Sequence, residues 1–150
     1  MITWQCLTFD QLSTFQLYQL LQLRVNVFVV EQTCPYPELD NKDHAPGACH
    51  LLGYQAEQLV ACARLLPPGV SYDNASIGRV ATLQSARGNG LGHDLLSQAL
   101  THCQQLWPQQ AIEISAQAHL QAFYRQHGFV TTTDIYLEDD IEHVGMLRSV

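Results

Sequence analysis

The sequence predicts one α/β (α+β) domain, in which a mixed sheet is flanked by helices. Short β-branched or apolar runs alternate with longer segments whose apolar residues recur at helical spacing. No repeat, low-complexity tract or linker divides the 150 residues, and a chain of this length can bury a substantial core. We therefore expect residues 1–150 to form a single domain.

The first half of the chain predicts an edge strand, a helix and an antiparallel meander. Residues 2–9 alternate loosely, as an edge strand does. A helix is expected from about Asp10 towards Phe28, with Asp10 or Ser13 as its N-cap. Three short runs that end at proline, glycine or polar residues then predict the strands of the meander, which are residues 50–54, 59–66 and 76–83.

A loop is predicted between the helix and the meander, because residues 33–48 contain three prolines and are mostly polar. This loop carries Glu38, Asp40 and Asp43. Solvated carboxylates are the ordinary expectation for such a loop. The functional alternative is a flexible acidic edge that covers a substrate amine.

The second half predicts two helical crossovers. Leu95, Leu96, Ala99 and Leu100 recur at helical spacing up to Trp107-Pro108. The next strand, 111–116, should be parallel to 76–83 if this helix forms a βαβ crossover. A second helix is expected from Gln117 or Ala118 to His127, followed by two strands at 129–137 and 141–148.

A glycine-rich turn joins the predicted strand 76–83 to the predicted helix. It reads Arg87-Gly88-Asn89-Gly90-Leu91-Gly92 and is followed by His93. Uncrowded backbone amides beside a helix N-terminus can bind a phosphate or pyrophosphate. The sequence excludes a nucleotide P-loop, because no lysine follows the last glycine, and a dinucleotide fingerprint would require glycine at position 93.

Composition narrows the choice of partners. The formal charge is −7 with a single lysine, which argues against nucleic acid and favours a cationic co-substrate. No window reaches the roughly 18 apolar residues of a membrane span. The five cysteines form no Cys-x-x-Cys pair and indicate a reducing, cytoplasmic compartment. The seven histidines show no metal-ligand spacing, so we expect no metal site.

Two signatures resemble the GNAT acetyltransferases. Arg87, Gly90 and Gly92 satisfy the Arg/Gln-x-x-Gly-x-Gly/Ala signature of that superfamily. Residues 117–129 are similar to its second pattern, N-x-x-A-x-x-L/F-Y-x-x-x-G-F, which they match at Phe123-Tyr124 and Gly128-Phe129. Gln117 replaces the asparagine and Leu120 the alanine of that pattern, which puts the usual amide contact at position 117 in doubt.

A third run, Arg24–Gln32, resembles the first helix of the bacterial ElaA-like subgroup. The resemblance covers essentially the whole chain. It implies a mostly antiparallel central sheet with two parallel strands splayed at its centre. It also implies an N-acetyltransferase that moves the acetyl group of acetyl-coenzyme A (acetyl-CoA) directly to a small-molecule or peptide amine, with a homodimer as one option for its assembly. A non-catalytic acyl-coenzyme A-binding module on the same fold is the alternative, and acyl-homoserine-lactone-synthase chemistry is a third.

The resemblance also implies roles for particular residues. Tyr124 takes the place of the acid that protonates the leaving thiolate. The residues implied in coenzyme A binding are Val80, Ala81, Thr82, Arg87, Gly88, Asn89, Gly90, Leu91, Gly92, His93 and Gln117. The general base stays open between Glu31, His50, Glu113, His119 and water.

Overall fold

The computed structural model of the protein describes all residues, 1–150, and contains one eight-stranded sheet. The strand order is β1-β2-β3-β4-β5-β8-β6. Strand β7 also pairs with β8 but lies outside this order. The strands are β1 (Ile2–Thr8), β2 (Cys49–Gln55), β3 (Gln58–Leu66), β4 (Ala75–Thr82), β5 (Ile112–Gln117), β6 (Val130–Thr131), β7 (Tyr136–Glu138) and β8 (Ile141–Arg148). The helices are α1 (Thr14–Val25), α2 (Leu91–Leu106) and α3 (Gln121–Arg125).

The first helix begins later than Asp10. The Ser13 hydroxyl accepts a hydrogen bond from the Gln16 amide, and the Gln16 side chain accepts one from the Ser13 amide, both at 3.0 Å. This reciprocal capping box fixes Ser13 as the N-cap. The prediction of a start at Asp10 was wrong, because Phe9–Gln11 form a separate 3-10 turn with its own cap at Thr8.

The C-terminal end of this helix widens into a π-helical turn, Asn26–Glu31. Its i→i+5 bonds include Cys34 N to Val29 O at 3.0 Å. Such turns are frequent at functional sites. The turn includes Glu31, which lay within the predicted helix end, and brings its carboxylate to Arg87.

The predicted meander is confirmed to within a residue or two at each end. Its third strand, β4, contains a β-bulge, because Cys62 of β3 pairs with Ala81 whereas Arg64 pairs with Gly78. The strand β4 therefore has one more residue than β3 over this interval, and Arg79 adopts a φ of 51° there. Bulges of this kind bend a strand and increase its twist.

The predicted parallel pair is also confirmed, and it splays. Strands β4 and β5 pair only at Ala75 with Ile112 and at Ser76 with Glu113. Beyond Ser76, towards the bulge, the two strands separate. The centre of the sheet therefore opens on the side where β4 leads into the glycine-rich turn.

The sheet is covered by a helix on each face. Leu95, Leu96 and Ala99 of α2 are fully buried on one face, where they meet Leu51. On the other face, α1 packs on Leu52. Since successive strand residues point to opposite faces, neighbouring leucines of β2 belong to different layers of the core. No helix combines the length and the hydropathy needed to cross a bilayer.

The C-terminal third differs from the prediction in two respects. The second helix is shorter than expected, with a 3-10 turn at Ala118–Leu120 before α3. The predicted strand 129–137 is in fact two short strands, β6 and β7. The physical reason lies at Thr133, whose hydroxyl accepts the hydrogen bond of the Gly145 amide at 2.8 Å and so interrupts the ladder with β8. Strand β8 itself lies between β5 and β6.

Candidate active site

A cavity of about 420 Å³ occupies the opening between the two splayed strands. Ile77–Thr82 of β4 form one wall and Ile114–Gln117 of β5 form the other. Phe28 and Glu31, from the π-helical turn, and Tyr124 of α3 also line it. The cavity therefore lies where four elements converge, which are β4, β5, the π-helical turn and α3.

The glycine-rich turn lies next to this opening and leaves its backbone amides free. Residues 88–90 donate no backbone hydrogen bond, and the first helical bond of α2 is Asp94 N to Gly90 O at 3.0 Å. The amides of the first helical turn, 91–93, consequently have no intrahelical acceptor. Gly88 and Gly90 have φ values of 105° and 77°, which a side chain would strain. A run of free amides at the N-terminus of a 16-residue helix suits a pyrophosphate.

Arg87 uses its guanidinium within the protein. It donates to both carboxylate oxygens of Glu31, at 2.7 and 3.0 Å, and to the Thr82 carbonyl oxygen at 2.8 Å. These bonds hold the glycine-rich turn against the end of β4 and against the π-helical turn. They also engage Glu31, one of the candidate bases.

The last two predicted cofactor residues contact other protein side chains. His93 Nδ1 lies 2.8 Å from His127 Nε2, and its ring packs against Phe123. Desolvation and the neighbouring His93 lower the pKa of His127. The Gln117 amide donates to the Gln32 side chain at 3.2 Å. Gln117 lines the cavity, whereas His93 does not.

Tyr124 is almost fully buried, with 8% of its surface exposed. Its ring meets Phe123 and Phe129 edge-on, and its hydroxyl makes no hydrogen bond to another protein group. Burial raises the pKa of Tyr124 to about 12, so its hydroxyl stays protonated at neutral pH. The side chain thus brings a phenolic proton to the cavity.

A polar group that sequence reasoning missed lines the far end of the cavity. Ser115 of β5, Glu138 of β7 and His143 of β8 line the cavity, and Tyr136 of β7 contacts them from outside it. The Ser115 hydroxyl is hydrogen-bonded to Tyr136 Oη and donates to Glu138 at 3.2 Å. The available signal was the spacing of two between Tyr136 and Glu138, which places both side chains on one face of a strand.

The acidic loop is not a flexible edge over the cavity. Arg24 donates to Glu38 and to Asp43, each at 2.7 Å, and has a side chain only 1% exposed. Arg64 binds Asp40 at 2.8 Å, and Arg79 of the bulge binds Glu38 at 2.9 Å. Both expectations for this loop, solvated carboxylates and an acidic edge, were therefore wrong. Three arginines from separate elements neutralise its carboxylates beneath the loop.

Three of the other candidate bases have clear positions. His50 is fully buried outside the cavity, with Nε2 2.9 Å from the Asp43 carbonyl oxygen, and desolvation lowers its pKa. Glu113 accepts a hydrogen bond from Asn74 at 3.3 Å and lines a different cleft. His119 does line the cavity.

Comparisons with known proteins agree with this geometry. Residues 22–150 match the family described as Acetyltransferase (GNAT) domain. Protein ElaA of Escherichia coli strain K12 is 45% identical over 150 residues, which cover 100% of this chain and 98% of ElaA.

Two solved structures are similar over nearly their full lengths. The crystal structure of an acyl-CoA N-acyltransferase from Pseudomonas aeruginosa has a TM-score of 0.95 and 47% identity, covering 99% of this chain and 100% of the other. The crystal structure of Escherichia coli ElaA has a TM-score of 0.94 and 44% identity, with the same coverage. The chain therefore belongs to the GNAT acetyltransferases and, within them, to the ElaA-like proteins.

Proposed function

We propose that residues 1–150 act as one N-acetyltransferase domain, which moves an acetyl group from acetyl-coenzyme A directly to a primary amine. The observation that carries this proposal is the opening between β4 and β5, which is lined by Tyr124 and a polar group and, through Arg87, adjoins the free amides of the glycine-rich turn. Membership of the GNAT family supports acyl transfer as the reaction class.

The residues around the opening fit coenzyme A. The free amides of residues 88–93 would hold the pyrophosphate, helped by the positive end of the α2 dipole. Backbone groups of Val80, Ala81 and Thr82 would pair with the pantetheine arm, since β5 leaves this stretch of β4 unpaired. We assign Arg87 the role of bracing the turn, because its guanidinium is already engaged. Gln117 would contact the arm from the β5 side.

Tyr124 would pass a proton to the leaving thiolate. A thiol has a pKa of about 8.5, whereas the pKa of the buried Tyr124 is about 12. Such a phenol gives up its proton to a thiolate only if it regains one in the same step. The attacking nitrogen must lose a proton as it forms the amide, so Tyr124 is best described as a relay between nitrogen and sulfur.

The acceptor end of the cavity favours a cationic amine. Glu138 and Asp139 line it, and the chain as a whole carries a net charge of −7. Negative potential at a cleft raises the local concentration of a positive substrate. We place the enzyme in the reducing cytoplasm, because all five cysteines are free thiols.

The experiment is a screen of primary amines for thiol release from acetyl-coenzyme A, repeated with Tyr124→Phe on each accepted amine. The substitution keeps the ring and removes the hydroxyl. We expect kcat to fall by about 10² to 10⁴, with much less change in the Kd for acetyl-coenzyme A measured by calorimetry. Tyr18→Phe, at an exposed tyrosine of α1, is the matched control.

Two results would contradict the proposal in different ways. If acetyl-coenzyme A binds but no amine in the panel releases its thiol, the chain is a binding module. If an amine is accepted and Tyr124→Phe retains a near-native kcat, the transfer reaction stands but Tyr124 does not relay the proton.

A further inference from the structure

We infer that His143 is the general base that removes a proton from the ammonium form of the acceptor amine. This inference rests on the proposed function, because it assigns a residue to the amine side of the same reaction. An alkylammonium ion has a pKa of about 10.4, so at neutral pH most of the acceptor arrives without a lone pair on nitrogen. Some group at the acceptor end of the cavity must take that proton before the nitrogen can attack.

The hydrogen bond at the inner ring nitrogen fixes the tautomer of His143. Its Nδ1 lies 2.7 Å from the Ile141 carbonyl oxygen. A carbonyl oxygen only accepts hydrogen bonds, so Nδ1 must carry a hydrogen. In the neutral ring, Nε2 is therefore the unprotonated nitrogen with a free lone pair. The Ile141 carbonyl thus fixes the tautomer in which Nε2 accepts a proton and does not donate one.

The position of Nε2 suits an ammonium ligand. The His143 side chain is only 9% exposed and lines the cavity that Tyr124 also lines. The nearest charged group to Nε2 is the Glu138 carboxylate, at 3.5 Å. The Tyr136 ring stacks on the imidazole at 6.3 Å between centroids. An ammonium group beside this pair can hydrogen-bond to both Nε2 and the carboxylate, and Glu138 would also stabilise the imidazolium that forms.

The other groups around the cavity are less suitable bases. Glu31 is bound by Arg87, and Arg79 is bound by Glu38 and Asp40. The remaining titratable side chains that line the cavity are Cys34, Tyr36, His119, Tyr124, Glu138 and Asp139. His119 lines the same cavity, but no hydrogen bond to the protein fixes its tautomer. Of the two cavity histidines, only His143 has its inner nitrogen bound.

The proton inventory of the reaction balances with His143 in this role. The acceptor enters as an ammonium ion and transfers one proton to Nε2, which later releases it to solvent. The nitrogen lone pair then attacks the thioester carbonyl carbon, so that the C–N bond forms and the C–S bond breaks. The second proton of the nitrogen reaches the thiolate by way of Tyr124. The products are the amide, the thiol and one proton.

The test compares wild type with His143→Asn. The asparagine amide can still donate to the Ile141 carbonyl oxygen but offers no basic nitrogen. With an alkylamine acceptor at pH 7 we expect kcat/KM to fall by about 10² to 10⁴. The ratio of wild-type to variant rates should shrink steadily as the pH rises towards 9.5, because a growing fraction of the amine is then already neutral. His102→Asn, on α2 and outside the cavity, is the matched control.

A second acceptor sharpens the test. A fluorinated analogue of the accepted amine is largely neutral at pH 7, so His143→Asn should lower its rate by less than about tenfold. A merely structural role for His143 would instead lower both acceptors' rates by the same factor at every pH. That result, or a near-native rate with the alkylamine at pH 7, would overturn the inference.

Two further outcomes are distinguished, which are misfolding of the variant and failure of the proposed function. His143→Gln, which puts a non-basic amide near the position of Nε2, serves the same comparison if the asparagine variant does not fold. If wild type fails to acetylate any amine, the proposed function has failed and this inference falls with it. If wild type is active and both variants match it, only the role of His143 is rejected.

Discussion

Two segments of this chain each carry one glutamate and two aspartates within a few residues, and their carboxylates have opposite surroundings. In the 33–48 loop, Glu38, Asp40 and Asp43 are bound by arginines, and the Glu38 side chain is only 4% exposed. At the end of β7, the Glu138 side chain is 51% exposed and lines the cavity beside His143, and Asp139 and Asp140 follow in the turn to β8. Only the first segment has guanidinium partners.

The difference shows that carboxylate clusters take their role from the elements beneath them. The loop lies over Arg24 of α1, Arg64 of β3 and Arg79 of β4, so its charges hold that loop onto the sheet. The turn lies at the end of the short hairpin of β7 and β8, where the charged partner of Glu138 is His143 and no arginine contacts residues 138–140. Its charge remains available to a ligand. The carboxylates that bind arginine and those that line the cavity are therefore spatially separate in this protein.

Removing the central arginine should have the largest effect. Arg24→Met keeps the volume of the side chain but leaves Glu38 and Asp43 without their buried partner. We expect the free energy of unfolding to fall by about 3–5 kcal/mol, as when one member of a buried ion pair is deleted. Urea unfolding followed by circular dichroism measures it. Arg125→Met, at an exposed arginine of α3, is the control, and equal stability of the two variants would mean that the loop is not held by its charges.

Acidification should weaken the same loop. Burial alone would raise the pKa values of Asp40 and Asp43, but hydrogen bonds from Arg64 and Arg24 outweigh it and hold both below the usual range. Groups with a depressed native pKa contribute stability that is present above the unfolded value, about 3.9, and lost as pH falls through the native value. The urea midpoint should therefore drop as the pH falls below about 4.

A variant separates this loop from general acid unfolding. Asp40→Asn removes one of the depressed carboxyls, so its urea midpoint should change less steeply with pH than that of wild type. Asp10→Asn, at an exposed turn residue, controls for the change in net charge. Identical slopes for wild type and Asp40→Asn would show that Asp40 does not contribute to the acid sensitivity.

Neutralising Glu138 at the end of β7 should have the smallest effect. This effect should be on activity and not on stability. Glu138→Gln is expected to raise the KM for a cationic amine by about two- to fivefold, the worth of a half-exposed charge pair. It should affect KM more than kcat, and the effect should shrink with added salt. Asp140→Asn removes the same charge outside the cavity and is the control. An equal rise in KM for both variants would assign the effect to net charge alone.

Local signals in the sequence predicted most of the fold. The Ser13 cap and the glycine-rich turn before α2 depend on residues that are neighbours along the chain, and the structure has both. The parallel pair of β4 and β5 is not local, but it was predictable because a helix between two strands indicates a crossover, and it is confirmed. The arginine partners of the acidic loop could not be predicted, because they are 14 to 41 residues away from it. The polar group around His143 depends on β8 lying between β5 and β6, which brings His143 opposite Gln117. No pattern within a short stretch of sequence predicts that β8 inserts between β5 and β6.

The splayed strands also bear on how this protein avoids aggregation. An unpaired strand edge normally attracts other chains. Here β4 and β5 each leave such an edge open, but the two edges face one another inside the sheet, with the π-helical turn and α3 beside them. The backbone of these edges faces the cavity between the strands, not the outer edge of the sheet, where another strand could add. The fold thereby keeps a sheet edge for recognition while withholding it from other proteins.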